Sequence, residues 1–522
     1  MKNKKNASSG THKQAARDPR HLKFRTISTA LTIIVIVGIV LLNVIVSVLA
    51  DRFPLTIDMS TDKVFTLSDD SKQFAKSITN EVEVVVLADT EQYFMGLAEY
   101  LYSGYQVNLS HEFERLSREV ETALAQLKST SNNKITYTFI NPDQEPEKYA
   151  KYAEYNLGEN NLLFLSGERY KKASLDSMIE VVDENTVNSN VEKVLVSNIF
   201  ALQGSKDRVI QVLTGHDEDA ATIAGLKRLY ELNGYTFEEL VITGATDFYE
   251  GAEVLLIAAP KTDYSQEEIR RISSWLDNDK KRNRHLMVFI DPTADCPNLY
   301  GMLKDEYQIT VTDQTIYETD NDRYTSDGTT YNPAWTWADV AINKYTPSAY
   351  GDRVVITPQA RRLLCDLPTS ATGTGIEKWG LQLTTHPDSA RVTTIGSGDK
   401  KEELKEDEYP LVSGISYVYE TTNNEEQIAA TTTVTVFGSS AMAYGMYTQD
   451  YSTNNEELLL DVIHSVTGYQ TNISITNKVI NRDVTQFKTG TQMVLGIWVF
   501  TVGLPAAVLL ICLVVFLRRR SL

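Results

Sequence analysis

The sequence predicts an α/β protein in which two terminal transmembrane helices flank a large exterior region. Two 25-residue stretches without a charged residue, Thr26 to Ala50 and Met493 to Leu517, lie near its two ends. Each has a basic cluster on its outer side. The 442 residues between them alternate β-branched apolar runs with amphipathic helical patterns, the mark of strands and helices taking turns in one sheet.

As a helix each uncharged stretch would run about 37 Å against about 30 Å of bilayer hydrocarbon, so each can span with modest tilt. Lys2, Lys4, Lys5, Lys13, Arg17, Arg20, Lys23 and Arg25 precede the first with only Asp18 opposing them, and Arg518, Arg519 and Arg520 follow the second. The positive-inside rule then makes 1–25 and 518–522 cytoplasmic tails, 26–50 and 493–517 the spans of a two-pass plasma-membrane protein, and 51–492 extracytoplasmic. A cleaved signal peptide is the competing reading of the first stretch, since Val48-Leu49-Ala50 imitates a cleavage site. Its apolar run exceeds the roughly 7–15 residues of a signal core. Neither span holds Asp, Glu, Lys, Arg or His, so both read as anchors in membrane lipid or packing elements rather than as an ion path. Pro505 is expected to kink the second, where Gly496 and Gly503 either admit a neighbouring helix or face lipid.

The chain carries 50 Lys and Arg against 69 Asp and Glu, a net charge of −19. Outside the tails and spans, 39 bases meet 68 acids, which brings the exterior part near −29. Such a surface disfavours nucleic acid and anionic headgroups and suits cations or a basic protein partner. Cys296, Cys365 and Cys512 include no CxxC and no Cys/His group with zinc spacing, so no metal or redox cofactor is expected.

Ser68 is placed to cap a short helix with Phe74 and Ile78 inward. Val82 to Leu87 follows as a strand, then a helix over Glu112 to Lys128 with Phe113, Leu116, Val120, Leu124 and Leu127 on one face, then a strand over Lys134 to Ile140. A helix around 146–155 and strands near 161–165 and 171–175 complete a module within 51–190 whose order resembles a thioredoxin-like fold without redox cysteines. A second unit, 205–470, opens with the strand Val209 to Leu213, the turn Thr214-Gly-His-Asp-Glu218 and a helix with Ile223, Leu226, Leu229 and Tyr230 inward. Asn233-Gly234 turns into a strand, and Val254 to Ala258 is a buried one. Ser265-Gln-Glu-Glu268 is a capping box leading Ile269, Ile272, Trp275 and Leu276, and Leu286 to Ile290 is the next strand. This alternation predicts a Rossmann-like parallel sheet covered on both faces. From 317 to 430 the chain turns polar and rich in Thr, Asp, Tyr and Trp, which reads as an irregular, loop-rich insertion. Thr433 to Gly438 and a helix with Leu458, Leu459, Val462 and Ile463 resume the sheet, and 471–492 is a juxtamembrane segment.

Several segments together resemble the gliding-motility auxiliary subunit family of ABC transporters. They are Asp58 to Ser68, the Thr214-Gly215-His216-x-Glu218 turn, Leu255 to Pro260 leading to Ser265-x-Glu-Glu268, Val288-Phe-Ile-Asp291-Pro292, Val436-Phe-Gly438-Ser-Ser-Ala441, Asn455-x-x-Leu458, and the final span with Arg518-Arg519. The resemblance implies a non-catalytic, membrane-anchored accessory that partners an ABC ATPase and a multispan permease. Its exterior domain would meet substrate, envelope polymer or a partner protein. Motility itself is not implied, and the 317–430 region matches least. The chain has no GxxxxGK[ST] phosphate loop, so it is not itself the ATPase. An exterior receptor for a small molecule or glycan is the alternative.

Four places carry polar groups that could do chemistry. His216, Asp217 and Glu218 sit at a strand end, where open α/β sheets hold ligands; the competing reading is a helix N-terminus that favours acids through its dipole. Asp291 ends another strand, where a turn cap is the ordinary role. Cys296, with His216, His285 or His464 as base, would suit a degenerate hydrolase or amidotransferase, but Asp295-Cys296-Pro297 lacks the small neighbours of a nucleophile elbow. Trp335 and Trp337, among Tyr324, Tyr331, Tyr345, Asp320, Asp322 and Asp327, suit a sugar or a protein partner, against plain packing of a long loop. GxSxG, HExxH and GxGxxG do not occur, and no catalytic, cofactor or metal role is assigned.

Overall fold

The computed structural model describes residues 63–87, 109–157, 161–181, 186–204, 207–243, 247–326, 331–341, 354–365, 375–386, 388–396, 401–402, 404, 411–422, 428–448, 453–468, 475, 478–481 and 518. Both uncharged stretches, the tails apart from Arg518 and most of 471–492 lie outside them. Among the described residues no helix is long and apolar enough to cross a membrane.

Ser68 caps α1 (Asp69–Ser77) by accepting from the Ser71 N–H at 3.1 Å, and Asp69 and Asp70 in the first turn suit the helix dipole. Then come β1 (Val82–Leu87), α2 (Leu109–Thr130), β2 (Ile135–Ile140), β3 (Leu162–Ser166) and β4 (Arg169–Ala173). They form a sheet in the order β2-β1-β3-β4, with β1 and β2 parallel and β3 antiparallel to both its neighbours. Leu116, Val120, Leu124 and Leu127 recur at helical spacing on α2 and are buried in its core. The short strands β5 (Ile179–Val181) and β6 (Thr186–Ser189) pair as a hairpin and lead into α3 (Val191–Gln203). This helix falls between the two modules expected from the sequence, and its Val191, Leu195, Ile199 and Leu202 belong to the first core.

The second sheet begins with β7 (Val209–Thr214), α4 (Ala220–Leu232), β8 (Thr236–Val241), β9 (Ala252–Ala258), α5 (Gln266–Asp277), β10 (His285–Phe289) and α6 (Pro297–Tyr307). Next are β11 (Ile309–Glu318), β12 (Tyr324–Ser326), β13 (Tyr331–Val340), β14 (Val355–Pro358), β15 (Arg361–Cys365), β16 (Gly375–Thr384), β17 (Ala390–Thr394), β18 (Lys401–Glu402) and β19 (Val412–Thr422). β20 (Ile428–Phe437) and α7 (Asn455–Thr467) complete it. β8, β7, β9, β10 and β20 are parallel neighbours in that order. Period-two alternation sends Leu255, Ile257, Leu286 and Val288 to the face covered by α5 and α6, and Val254, Leu256, Met287 and Phe289 to the face covered by α4 and α7. The capping box of Ser265 and Glu268 starts α5.

The loop-rich insertion expected over 317–430 is corrected by the structure. β19 runs antiparallel to β20, and β11 to β18 extend the sheet outward as antiparallel strands and a small β-layer. Threonine, tyrosine and tryptophan made the stretch look polar, but they are strand formers. Where threonines occupy both faces, as from Thr431 to Thr435 in β20, the apolar alternation that signals a strand disappears.

Finally β21 (Lys478–Asn481) returns to pair with β6, Ile480 opposite Val187. Lys478 reaches further, its Nζ donating to the Thr66 carbonyl at 2.7 Å and pairing with Glu192 at 2.6 Å. The segments next to the two expected spans are thereby fastened to each other.

Two predictions follow from this packing. A methyl group added at Gly225 of α4 would overlap the Ala443 carbonyl, so Gly225→Ala should lower unfolding stability by about 1–3 kcal/mol in a denaturant titration. Glu119, buried on α2, pairs with Arg115 at 2.9 Å and accepts from Ser189, yet burial pushes its carboxyl up to about 6 from 4.5. A raised carboxyl favours the folded state while protonated, so stability should fall by about 2 kcal/mol as pH climbs from about 4.5 to about 6 and then level off. Glu119→Gln should flatten this step in thermal melts over that range.

Candidate functional site

At the end of β7, Gly215 (φ +115°) and Asp217 (φ +56°) bend the chain sharply back. Glu218 folds over the turn, its carboxylate accepting from the Gly215 N–H at 3.1 Å and the His216 N–H at 3.0 Å. Asp219 caps α4 by accepting from the Thr222 N–H at 2.9 Å. The loop after β9 closes against this turn: the Lys261 and Thr262 N–H groups both donate to the His216 carbonyl at 3.0 Å, and the Asp219 N–H donates to the Ala258 carbonyl at 3.1 Å. The crevice where the order of parallel strands reverses, between β7 and β9, is thus laced shut by main-chain hydrogen bonds.

The three neighbours named from the sequence diverge. Asp217 is exposed, Glu218 is spent on its own turn, and the His216 ring is buried against Tyr264, centroids 4.0 Å apart. Glu268 Oε2 lies 3.5 Å from His216 Nε2, and among the described residues neither ring nitrogen makes a hydrogen bond of good geometry. Burial opposes ionisation of Glu268, but the Ser265 backbone and hydroxyl donors and the nearby His216 hold its carboxyl below the ordinary range. Among the described residues no group of three His, Cys, Asp or Glu side chains is placed to hold a metal ion.

Asp291 is nearly buried, and its Oδ1 accepts from the Thr293 and Ala294 N–H groups, both at 2.8 Å, which is a turn cap. Tyr444 lies in the loop after β20. Burial, then the carboxylates of Asp219 and Asp291, push its phenol up to about 12. Cys296 is buried at the start of α6, its thiol pointing to the Pro260 carbonyl at 3.6 Å, and Cys296 and Cys365 are not bonded to each other. Trp335 and Trp337 are half-buried on β13, opposite Pro358 and Ile356 of β14, rather than displayed on a loop. The Trp335 indole N–H donates to the Tyr447 hydroxyl. Tyr345 and Asp327 lie outside the described residues.

A second feature escaped the sequence reading. Between β4 and β8 lies a cleft of about 980 Å³. Lys171 of β4 is buried there and donates to the Thr236 hydroxyl on β8, and burial lowers its ammonium to about 8. Arg169 closes the far end of α3, donating to the Ala201 carbonyl at 3.0 Å and to the Asp207 carboxylate at 2.8 Å. The signal was present in Arg169-Tyr-Lys-Lys172 and Glu238-Glu239, since charges on short strands mark sheet edges.

Residues 61–175, which span the four-stranded sheet, match a family described as a domain of unknown function (DUF7088). No curated protein matches the chain. Among solved structures it is similar to the mmIFT52 N-terminal domain, at 14% identity and a TM-score of 0.34, over 51% of this chain and 100% of that one. It is also similar to the exo-beta-1,4-mannosidase Op5Man5 from Opitutaceae bacterium strain TAV5, at 9% identity and a TM-score of 0.23, over 68% of this chain and 50% of that one. At these scores neither likeness bears on function.

Burial, followed by the charges of Asp263, Asp295 and Asp291, pushes the Cys296 thiol up to about 12. Since thiolates are the reacting species, iodoacetamide near neutral pH should leave Cys296 unmodified in the native protein and modify it on unfolding, as read by peptide mass spectrometry. Rapid native alkylation would restore the nucleophile reading.

Proposed function

We propose that the chain is a non-catalytic, two-pass auxiliary subunit of an ABC transporter complex in the plasma membrane. Its helices pack against a multispan permease, and its exterior body meets substrate, envelope polymer or a partner protein. The observation that carries this reading is the closure of the described ends. β21 lies on β6, and Lys478 binds the Thr66 carbonyl and Glu192, so Lys63 and Asn481 each stand a short segment away from an uncharged stretch. A body whose described ends are tied together suits a chain anchored near both of them. The strand order and directions of the first sheet support a thioredoxin-like module, and the order β8-β7-β9-β10-β20 supports a Rossmann-like domain of the 2-1-3-4-5 type. The buried Cys296 and the self-satisfied Glu218 and Asp291 support a role without catalysis.

Affinity purification of the tagged chain from native membranes at its natural level is expected to recover an ABC ATPase and a permease. Their reproducible absence counts against the proposal. A receptor for a small molecule or glycan is the second reading, favoured by the cleft between β4 and β8. Saturable binding of one glycan in an array, without recovery of transporter subunits, would turn the assignment that way. Lys478→Ala should loosen the tie, since it leaves Glu192 buried without its cation. Faster hydrogen exchange confined to residues 186–189 and 63–68 is the expected outcome.

A further inference from the structure

We propose that the cleft between β4 and β8 receives an extended, basic polypeptide segment of a partner protein as an added strand. Among the described residues β4 pairs only with β3 and β8 only with β7, so each is the edge of its sheet, and both edges line the same cleft. Hydrogen bonding fixes the backbone polarity of each edge. The Thr236 N–H donates to the Arg208 carbonyl at 2.8 Å, and the Ile242 N–H to the Thr214 carbonyl at 3.0 Å. Even-numbered residues of β8 therefore turn toward β7, and by alternation Phe237, Glu239 and Val241 turn their N–H and C=O groups outward. In the other sheet the Leu87 N–H donates to the Asn161 carbonyl at 2.7 Å, which turns Leu163 and Leu165 toward β1 and Leu162, Phe164 and Ser166 toward β4. Their partners Ala173, Lys171 and Arg169 face them, leaving the backbone groups of Tyr170 and Lys172 outward. Two rows of donors and acceptors without a strand partner among the described residues thus border one space, the arrangement that captures an added strand.

Charge selects the occupant. Four of the five bases on the walls are engaged within the protein: Arg169 with Asp207 and α3 carbonyls, Lys171 with Thr236, Lys172 with the Tyr155 carbonyl at 3.2 Å, and Arg228 with Glu180 at 3.1 Å; the fifth, Lys227, is exposed one helical turn before Glu231 on α4 and faces that carboxylate's charge. The exposed carboxylates Glu238 and Glu239 make no ion pair with any described residue, whereas Glu231 already feels the charges of Lys227 and Lys171. Tyr170 and Tyr249, both about half exposed, add aromatic surface for aliphatic stems. A strand with lysine or arginine at alternate positions would meet the free acids while its backbone completes either edge. Charged edge residues also repel unwanted pairing, and the test separates that role from capture.

The probe is a fluorescein-labelled, acetylated heptapeptide of alternating lysine and valine, titrated by anisotropy against the full chain in nanodiscs of uncharged lipid. Saturable binding is expected. It should weaken by about 10-fold or more when alternate amides of the peptide are N-methylated, which deletes several ladder hydrogen bonds and leaves the charge intact. The surface double variant Glu238→Lys, Glu239→Lys should weaken it comparably, and a glutamate-valine peptide should not bind. Absence of binding would overturn the proposal, as would binding indifferent to N-methylation, which is charge adhesion alone. Glu239→Cys chains that cross-link to each other and thereby exclude the peptide would assign the edge to a second copy instead. The slot is independent of the proposed transporter complex, because peptide binding by the isolated chain does not depend on recovery of an ATPase or permease.

Discussion

The whole fold leans on α3. Ten of its thirteen residues are buried, including Glu192 and Lys193, and a helix covered on nearly every side belongs between layers rather than on a surface. One side completes the core of the four-stranded sheet. The other meets the second unit, where Phe200 packs against both cores and Leu232 of α4 joins the first. Gly234 (φ +80°) lets the turn after α4 pass within 2.6 Å of the Ser197 carbonyl, measured from the position a Cβ would take, so any other residue would push the two apart. The two sheets cannot be separated without exposing this helix to water.

The charges on α3 explain why its position is unique as well as favourable. Buried ions cost several kcal/mol in desolvation and persist only when they are paired and hydrogen-bonded. Glu192 accepts from the Ser68 N–H at 2.8 Å and pairs with Lys478, which fastens the N-terminal end of α3 to both α1 and β21. Lys193 pairs with Glu456 on α7. Arg169 holds the carbonyls at the opposite end. Apolar packing alone would tolerate rotation of so uniformly greasy a helix; these ties do not, since a turn about its axis would strand each ion.

This also accounts for what the sequence disclosed and what it hid. Helices with one wet face were legible from spacing: α1 with its Ser68 cap, α2 with Leu116 to Leu127, and α5 with its capping box. So were the apolar strands β7, β9 and β10, and with them the alternation that makes a parallel sheet. α3 has no wet face and therefore no period to read, and it went unassigned between two expected modules. The strands from 309 to 422 failed for the converse reason, because polar strand-formers on both faces erased the period of two. Among the candidate site residues, position was legible and direction was not. His216, Asp217 and Glu218 do sit at a strand end, but a left-handed residue at 217 and a carboxylate folded onto its own turn send them apart.

The sealed strand ends and the open edges are two sides of one arrangement. Main-chain hydrogen bonds between the loops after β7 and β9 fill the crevice where parallel sheets usually take ligands, so accessible polar backbone must be sought elsewhere, and β4 and β8 supply it. Both edges border the cleft, which Val194 and Asn198 of α3 help to line; Arg169 of β4 binds the C-terminal end of that helix, while the tied segments around Ser68 and Lys478 sit at its N-terminal end. Thirteen helical residues span about 20 Å, so a single buried helix carries ties at both of its ends.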